Sequence, residues 1–362
     1  MSDKNKFKLV IAGNATLDAH IDGKVYEDGN NITVVSDGVK KIFEVVDGPI
    51  RYGYKHRTKA DVEHSIRGLW NMLKPGGGGY NTATSIKRRM DIATKLDLSY
   101  VDVSSPDELV LQSLREVGIS PYFFGLRPIP INAILGGRED KIILKGPMLP
   151  RVNLLEEHKV AIDDIVREAN GVAINSAKDE GLVEAMIEST NRRMVPLYFV
   201  VTSSLPPDFI FQKMLPYGLS IISHEDVTSI HGKNPLEFKD AQLFEMSLEY
   251  LRKMNKDKIT NGNPLFITLG ANGVLCMNHE SGIYHVKLKE EYVEMIGYSA
   301  GTKIGSTNGA GDVFAGAVVV LGATRKKLDI TKVAMRASKA SIRHIGYDGP
   351  VGYDSFTVKP FK

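Results

Sequence analysis

Five short apolar runs limit what this chain can fold into: KLVIAG (8–13), GVAINS (171–176), PLYFVV (196–201), LSIIS (219–223) and LFITLG (265–270). They are apolar on consecutive positions, not alternate ones, as strands covered on both faces are. Longer amphipathic stretches separate them, among them Lys178 to Arg193 and Leu236 to Lys256. Pro106 to Val117 is another helix candidate, with Pro and acids at its start and Gly118 as a stop. This strand-then-helix alternation predicts an α/β chain built on a mainly parallel sheet with helices on both sides.

Two regions break the rhythm. Residues 19–58 are polar and Gly-rich, with the strand-like pieces NITVVS and KIFEVV. Residues 121–146 hold INAIL and KIILKG around GGRED, a hairpin signal. The simplest reading is one domain over 1–362, with a small β layer made from these two insertions and placed over one edge of the sheet. A chain of 362 residues can bury a full core without staples. Its 46 basic and 43 acidic residues, net +3, give no electrostatic footing for nucleic acid or a membrane surface. The single cysteine, Cys276, lies in the apolar run GVLCMN and reads as a core thiol. The opening MSDKNKFKLVIAG has neither signal-peptide order nor membrane length, so the expectation is a soluble, cytoplasmic protein.

Three glycine-rich stretches carry the chemistry. In the first, Gly76 to Gly79 precede Tyr80, Asn81 and the helical pattern TATSIKRRM, so backbone can come close to a ligand at a helix start. No strand pattern leads directly into it, which sets it apart from the dinucleotide fingerprint; read alone, it is equally a flexible turn. In the second, Thr268 to Gly273 looks like a tight connection between two strands, and alone it is a turn. In the third, GSTNGAGDVFAGAVVVLGA (305–323), Gly309, Ala310 and Gly311 present successive N–H groups ahead of a helix from about Asp312. That is an anion site for a phosphoryl group in transit. A carboxylate there can take a proton from an attacking hydroxyl. Helix capping would also use an Asp at this place, but does not explain the glycines before it. There is no Walker-type phosphate loop in the sequence.

These three sites, in this order, resemble the ribokinase (PfkB) family of sugar and nucleoside kinases over most of the chain. Ser306 to Phe314 (STNGAGDVF) is similar to that family's second signature, and Gly76 to Asn81 (GGGGYN) to its first. GNATLD, Gly13 to Asp18, resembles the end of the family's first strand, where a substrate-binding Asp stands. The resemblance implies a three-layer α/β/α fold with a small β lid. It also implies ATP and Mg²⁺, and transfer of the γ-phosphoryl group to a hydroxymethyl oxygen of a sugar or nucleoside. Asp312 would be the base, and the backbone at 309–311 would hold the developing charge. Asp18 and Asn81 would bind acceptor hydroxyls, with Gly77 and Gly78 close by. Thr268, Gly270, Gly273 and Asn308 would lie at the nucleotide. The lid offers a surface for a homodimer.

The chain departs from the family pattern at two places. Ser306 stands where the family has an Asp that helps hold a monovalent cation, so that cation would rest mainly on backbone carbonyls. Ser223 to Asp226 (SHED) stands where an Asn-x-x-Glu pair orders Mg²⁺ through water, leaving Asp226, with Glu225 as a substitute, as the metal-site acids. The long segment from Asp18 to Gly76, with the helix pattern ADVEHSIRGLWNML, is similar to adenosine kinases. Arg51, Tyr52, Tyr54 and Arg57 lie in the lid region, where they could contact a base or a phosphate; the favoured reading is that they are solvated lid residues. A kinase-like binding protein without turnover would explain the two serines but not the intact Gly-Ala-Gly-Asp. A nicotinamide-dependent dehydrogenase would need more glycines after the first strand than GNATLD has.

Overall fold

The computed structural model describes residues 6–21, 24–28, 31–36, 39–44, 54–56, 73–89, 95–135, 142–145, 152–175, 177–294, 309–324, 328–347 and 349–361. Their strands, in chain order, are β1 (Phe7–Gly13), β2 (Thr16–Ile21), β3 (Lys24–Asp28), β4 (Asn31–Ser36), β5 (Val39–Glu44), β6 (Tyr54–His56), β7 (Leu73–Gly76), β8 (Leu96–Ser104) and β9 (Ile119–Arg127). They continue as β10 (Ile131–Leu135), β11 (Ile142–Lys145), β12 (Gly171–Asn175), β13 (Leu197–Val201), β14 (Leu219–Ser223), β15 (Leu265–Thr268), β16 (Val274–Asn278), β17 (Gly282–Leu288) and β18 (Phe356–Phe361). The longer helices are α1 (Gly78–Arg89), α2 (Glu108–Glu116), α3 (Glu156–Val166), α4 (Glu180–Arg193), α5 (His224–Ile230), α6 (Asp240–Lys256), α7 (Ala310–Ala323) and α8 (Ile330–His344).

The main sheet runs β18-β17-β16-β15-β14-β13-β12-β1-β8-β9. From β15 to β9 every neighbouring pair is parallel, and the β16–β18 end is antiparallel. The five apolar runs are β1 and β12 to β15. Their consecutive apolar residues feed two cores by strand alternation. Leu9 and Ile11 face a core shared with Ile86 of α1, Leu114 of α2, Val318 of α7 and Val333 of α8. Val10 and Ala12 face the opposite core, with Val166 of α3, Val183 of α4, Val227 of α5 and Leu251 of α6. Helices thus cover both faces, giving three layers. Cys276 is buried among them, and burial pushes its thiol up to about 12, as a core thiol requires.

The helix signals act where expected. Asp107 caps α2 by accepting the Leu109 N–H, and Gly118 follows with φ +72. α6 starts later than its amphipathic pattern, because Pro235–Glu237 form a separate turn first.

A second, five-stranded sheet has the order β6-β11-β10-β2-β7 and combines strands from both irregular regions. Its central pair, β2 and β10, is parallel, with Asp18 opposite Asn132. Two features differ from the single β layer expected from the sequence. β3, β4 and β5 form their own antiparallel meander. Residues 121–127, expected within the second insertion, belong to β9 at the edge of the main sheet. Pro121 and Gly125 hide that strand in the sequence, and an edge tolerates both. β8 escaped the apolar-run criterion because Asp97, Ser99 and Asp102 interrupt it, yet it lies beside β1 in the sheet.

Candidate active site

All parallel strands of the main sheet end on one edge. Chain order reverses there between β1 and β12: later strands spread one way to β15, while β8 and β9 lie the other way. Such a reversal splays the two connections apart and leaves a crevice beyond the strand ends. The residues at this point are Gly13 and Asn175, paired in register.

Asp312 is brought to that crevice by α7. Gly309 stands immediately before the helix with φ +78, a conformation that favours glycine, and its carbonyl accepts the Val313 N–H at 2.8 Å. The Ala310 and Gly311 N–H groups belong to the first turn, where no intrahelical acceptor exists. They join the positive end of the helix dipole and so favour an anion in front of them. Ser341 of α8 donates to Ala310 O at 2.8 Å and ties this turn to the neighbouring helix.

Two amides hold the half-buried Asp312 carboxylate. Asn81 Nδ2 donates to Oδ2 and Asn175 Nδ2 to Oδ1, each at 3.2 Å. Asn175 is fully buried and its amide also reaches Thr82 Oγ1 (2.6 Å) and Gly78 O (3.0 Å). One side chain at the end of β12 therefore joins α1 to α7. Thr82 adds a longer contact to Asp312 O at 3.4 Å. Neither Asn175 nor Thr82 was singled out from the sequence. The available signal was Asn175 as a polar end to the apolar GVAI. We expect Asn175→Leu to cost about 1–3 kcal/mol, since Thr82 and Gly78 lose a buried donor. It should also lower turnover by roughly tenfold through a looser Asp312. Thermal melts and kcat on the same sample check both.

The first glycine run works by close approach. A short strand, β7, does lead directly into it, contrary to the reading of the sequence. A Cβ on Gly77, whose φ is +92, would lie 2.4 Å from Asn14 O; one on Gly79 would lie 2.8 Å from Gly13 Cα. The start of α1 can thus sit against the end of β1, which delivers Asn81 to Asp312. Gly78 contributes its carbonyl to Asn175, and Asn81 N–H closes the first turn on Gly77 O at 2.8 Å.

Asp18 is not at the end of the first strand. β1 stops at Gly13, and Asp18 lies within β2 in the second sheet. Its Oδ1 accepts from Thr16 Oγ1 at 2.8 Å and from Asn132 Nδ2 at 2.9 Å. Oδ2 occupies space that a Cβ on Gly76 would fill, the separation being 2.0 Å.

Thr268 ends β15, three strands from Asn175, or roughly 14 Å by strand spacing. The turn after it is a 3₁₀ segment, Gly270–Asn272, linking antiparallel β15 and β16. Gly270 takes φ +58 with open space around it, whereas Gly273, φ +88, leaves room for Val286 O, which a Cβ would approach to 2.2 Å. Gly273 thus has a packing reason of its own. Between this turn and the crevice, Asp226 in the first turn of α5 ties two strand ends together. Its Oδ1 accepts the Ser203 N–H at 2.7 Å and its Oδ2 the Ser223 hydroxyl at 2.7 Å. Glu225 lies beside it, with His224 Nδ1 3.4 Å from its Oε2. Among the described residues no three His, Cys, Asp or Glu side chains are grouped to hold a metal ion. No helix among them is long and apolar enough to cross a membrane. Ser306, Asn308, Arg51, Tyr52 and Arg57 lie outside the described residues, and of Tyr54 only the backbone is described.

No protein-family model matches the chain, and no curated protein matches it in sequence. Solved structures match it closely in fold. The ribokinase of Cryptococcus neoformans var. grubii serotype A, in complex with ADP, has a TM-score of 0.63 at 14% identity and covers 95% of both chains. The ribokinase of Giardia lamblia has a TM-score of 0.61 at 15% identity, over 95% of this chain and 94% of that one. The Arabidopsis thaliana ribokinase complexed with ribose and ATP has a TM-score of 0.58 at 13% identity, over 95% and 94%. At these identities the likeness is one of fold.

Proposed function

We propose that this chain, which has the ribokinase fold, is an ATP-dependent kinase that phosphorylates a hydroxymethyl group of a sugar or sugar-like small molecule. The observation that carries the reading is the Asp312 carboxylate, held by Asn81 and Asn175 in the first turn of α7, directly behind the Gly309 turn and at the reversal of strand order. A carboxylate and the first-turn N–H groups of a helix side by side suit one class of reaction. The carboxylate takes the proton of an attacking hydroxyl, and the N–H groups hold the negative charge of the group it attacks.

Each residue then has a task. Asp312 orients the acceptor hydroxyl and accepts its proton as the new O–P bond forms. The Ala310 and Gly311 N–H groups hold the oxygens of the transferred group. Asp18, from the second sheet, binds acceptor hydroxyls beside Asn81, with Gly77 and Gly78 keeping the floor low. A nucleotide would lie along the edge from Thr268 and Gly270 to α7, and bound ATP would supply the phosphoryl group. Asp226 and Glu225 are the acids on that edge near which Mg²⁺ would be held through water, because Asp226 already accepts two hydrogen bonds.

The test is release of ADP by the purified protein with ATP, Mg²⁺ and a panel of sugars, sugar acids and nucleosides. One acceptor, or a group of related ones, should support turnover. Absence of turnover across the panel would overturn the reading in favour of a binding protein; a nucleoside as sole acceptor would correct the substrate class. With the acceptor known, Asp18→Ala should raise its KM by at least roughly 30-fold and leave the KM for ATP within about twofold. Equal changes in both would remove Asp18 from the acceptor site.

A further inference from the structure

The chain crosses from β1 of the main sheet to β2 of the second through Asn14 and Ala15 alone. Both are buried, and two charged side chains from the neighbouring strands hold them. Asp102 of β8 accepts the Ala15 N–H at 2.6 Å. Arg127, the last residue of β9, donates through Nη2 to Asn14 Oδ1 at 3.2 Å. Arg127 is itself paired with Asp179, just before α4: Nη1 donates to Oδ1 at 3.2 Å, and Nη2 lies 2.7 Å from Oδ2. The guanidinium therefore runs from β9 past the ends of β8 and β1 to the segment after β12.

This pair is a poor device for stability. The two side chains are 4% and 1% exposed, so both charges are fully desolvated. Among the described residues Arg127 Nε has no hydrogen-bond partner, and Asp179 Oδ2 meets the guanidinium as an ion contact and not as an aligned hydrogen bond. Burial is the largest influence on the Asp179 carboxyl and pushes it up, despite the guanidinium beside it. A buried ion pair that leaves a polar atom unsatisfied is often no better for stability than apolar side chains of the same volume. Its distinctive feature is the third contact, to Asn14. The Asn14 carbonyl is also the atom that Gly77 is bare to admit, so a shift of Asn14 moves both β2 and the start of α1.

We propose that Arg127, braced by Asp179, is a positioning residue that acts through Asn14 to fix the 14–18 segment, and with it Asp18, over the crevice at the ends of β1 and β12. The proposal rests on the kinase reading only for its kinetic consequence; the structural consequence stands apart from it.

The test compares wild type with Asn14→Ala, Arg127→Lys and the double variant Arg127→Met/Asp179→Leu. Asn14→Ala removes the link and keeps the ion pair. Arg127→Lys keeps a cation for Asp179 but loses the fork that also reaches Asn14. The double variant removes both charges together. Amide hydrogen exchange at Ala15 and Leu17 should rise by at least about tenfold in all three, while Leu9 to Ala12 of β1 stay protected. Acceptor KM should rise by roughly tenfold, with the KM for ATP and kcat changed by less than about threefold. Adding Asn14→Ala to the double variant should change little further, since both act through one link. Wild-type exchange at residues 15–17 in Asn14→Ala and Arg127→Lys would overturn the proposal, as would raised exchange spread over the whole of β1. If wild type lacks turnover with every acceptor, the kinase reading fails alone and exchange still decides the positioning role. If the double variant fails to fold, the two single variants decide it.

Discussion

Asp312→Asn should lower kcat by roughly 10²–10⁴ and leave the KM for ATP within about threefold. The size follows from what is removed. An amide keeps the shape of the carboxylate but cannot take a proton, so the attacking hydroxyl must lose it to water or not at all. The N–H groups of the first turn are backbone and remain. The substitution has a side effect that this site makes visible. Asn81 and Asn175 donate to opposite oxygens of Asp312, so an amide at 312 must set its own NH₂ against one of them. That conflict should cost about 1 kcal/mol of stability, which a flip of either amide would reduce. Asp312→Ala separates the two effects: it lacks the conflict and should lose as much turnover. A kcat near wild type in both variants would exclude Asp312 as the base, and would leave the Gly309 turn as an ordinary helix start.

The sequence made this residue visible because its neighbours are chemically odd. Glycines and a carboxylate at the mouth of an apolar helix have no packing purpose, so the stretch from Gly309 to Asp312 could be picked out without a structure. The consecutive apolar runs were legible for a similar reason, since two covered faces leave few polar positions. What could not be read were features fixed by partners distant in sequence. Asn175 is one polar residue at a strand end, and its role exists only because α1 and α7 arrive on either side of it. Asp18 looked like the end of the first strand because nothing local marks the change of sheet at Asn14 and Ala15. That change is held by Asp102 and Arg127, 87 and 113 residues away. β8 was obscured by polar residues within it, Asp102 among them, and β9 by Pro121 and Gly125. A strand that carries polar side chains departs from the apolar pattern by which strands are recognised.

Gly13→Ala should destabilise the protein by about 3 kcal/mol or more, a larger effect than its single methyl group suggests. Gly13 has an ordinary backbone conformation for a strand, so the cost is not one of φ. It comes from space. A Cβ there would lie 2.1 Å from Asn175 O and 2.9 Å from Gly79 Cα. Both obstacles are backbone, so no side chain can rotate away. β1 and β12 are paired in register at this residue, and the start of α1 presses on it from one face. Relief requires either the strand ends to part or α1 to withdraw. Each movement takes Asn175 or Asn81 off the Asp312 carboxylate, so any folded fraction should also turn over more slowly. Gly181→Ala is the control: it lies inside α4 with its nearest neighbour 3.6 Å away, and should be neutral or stabilising by about 0.5–1 kcal/mol. Urea unfolding of the two variants beside wild type gives the comparison. If Gly13→Ala unfolds at the wild-type midpoint, β1 and β12 have freedom to separate at their ends. The tight meeting of strand, strand and helix that places Asp312 would then not be what holds the crevice in shape.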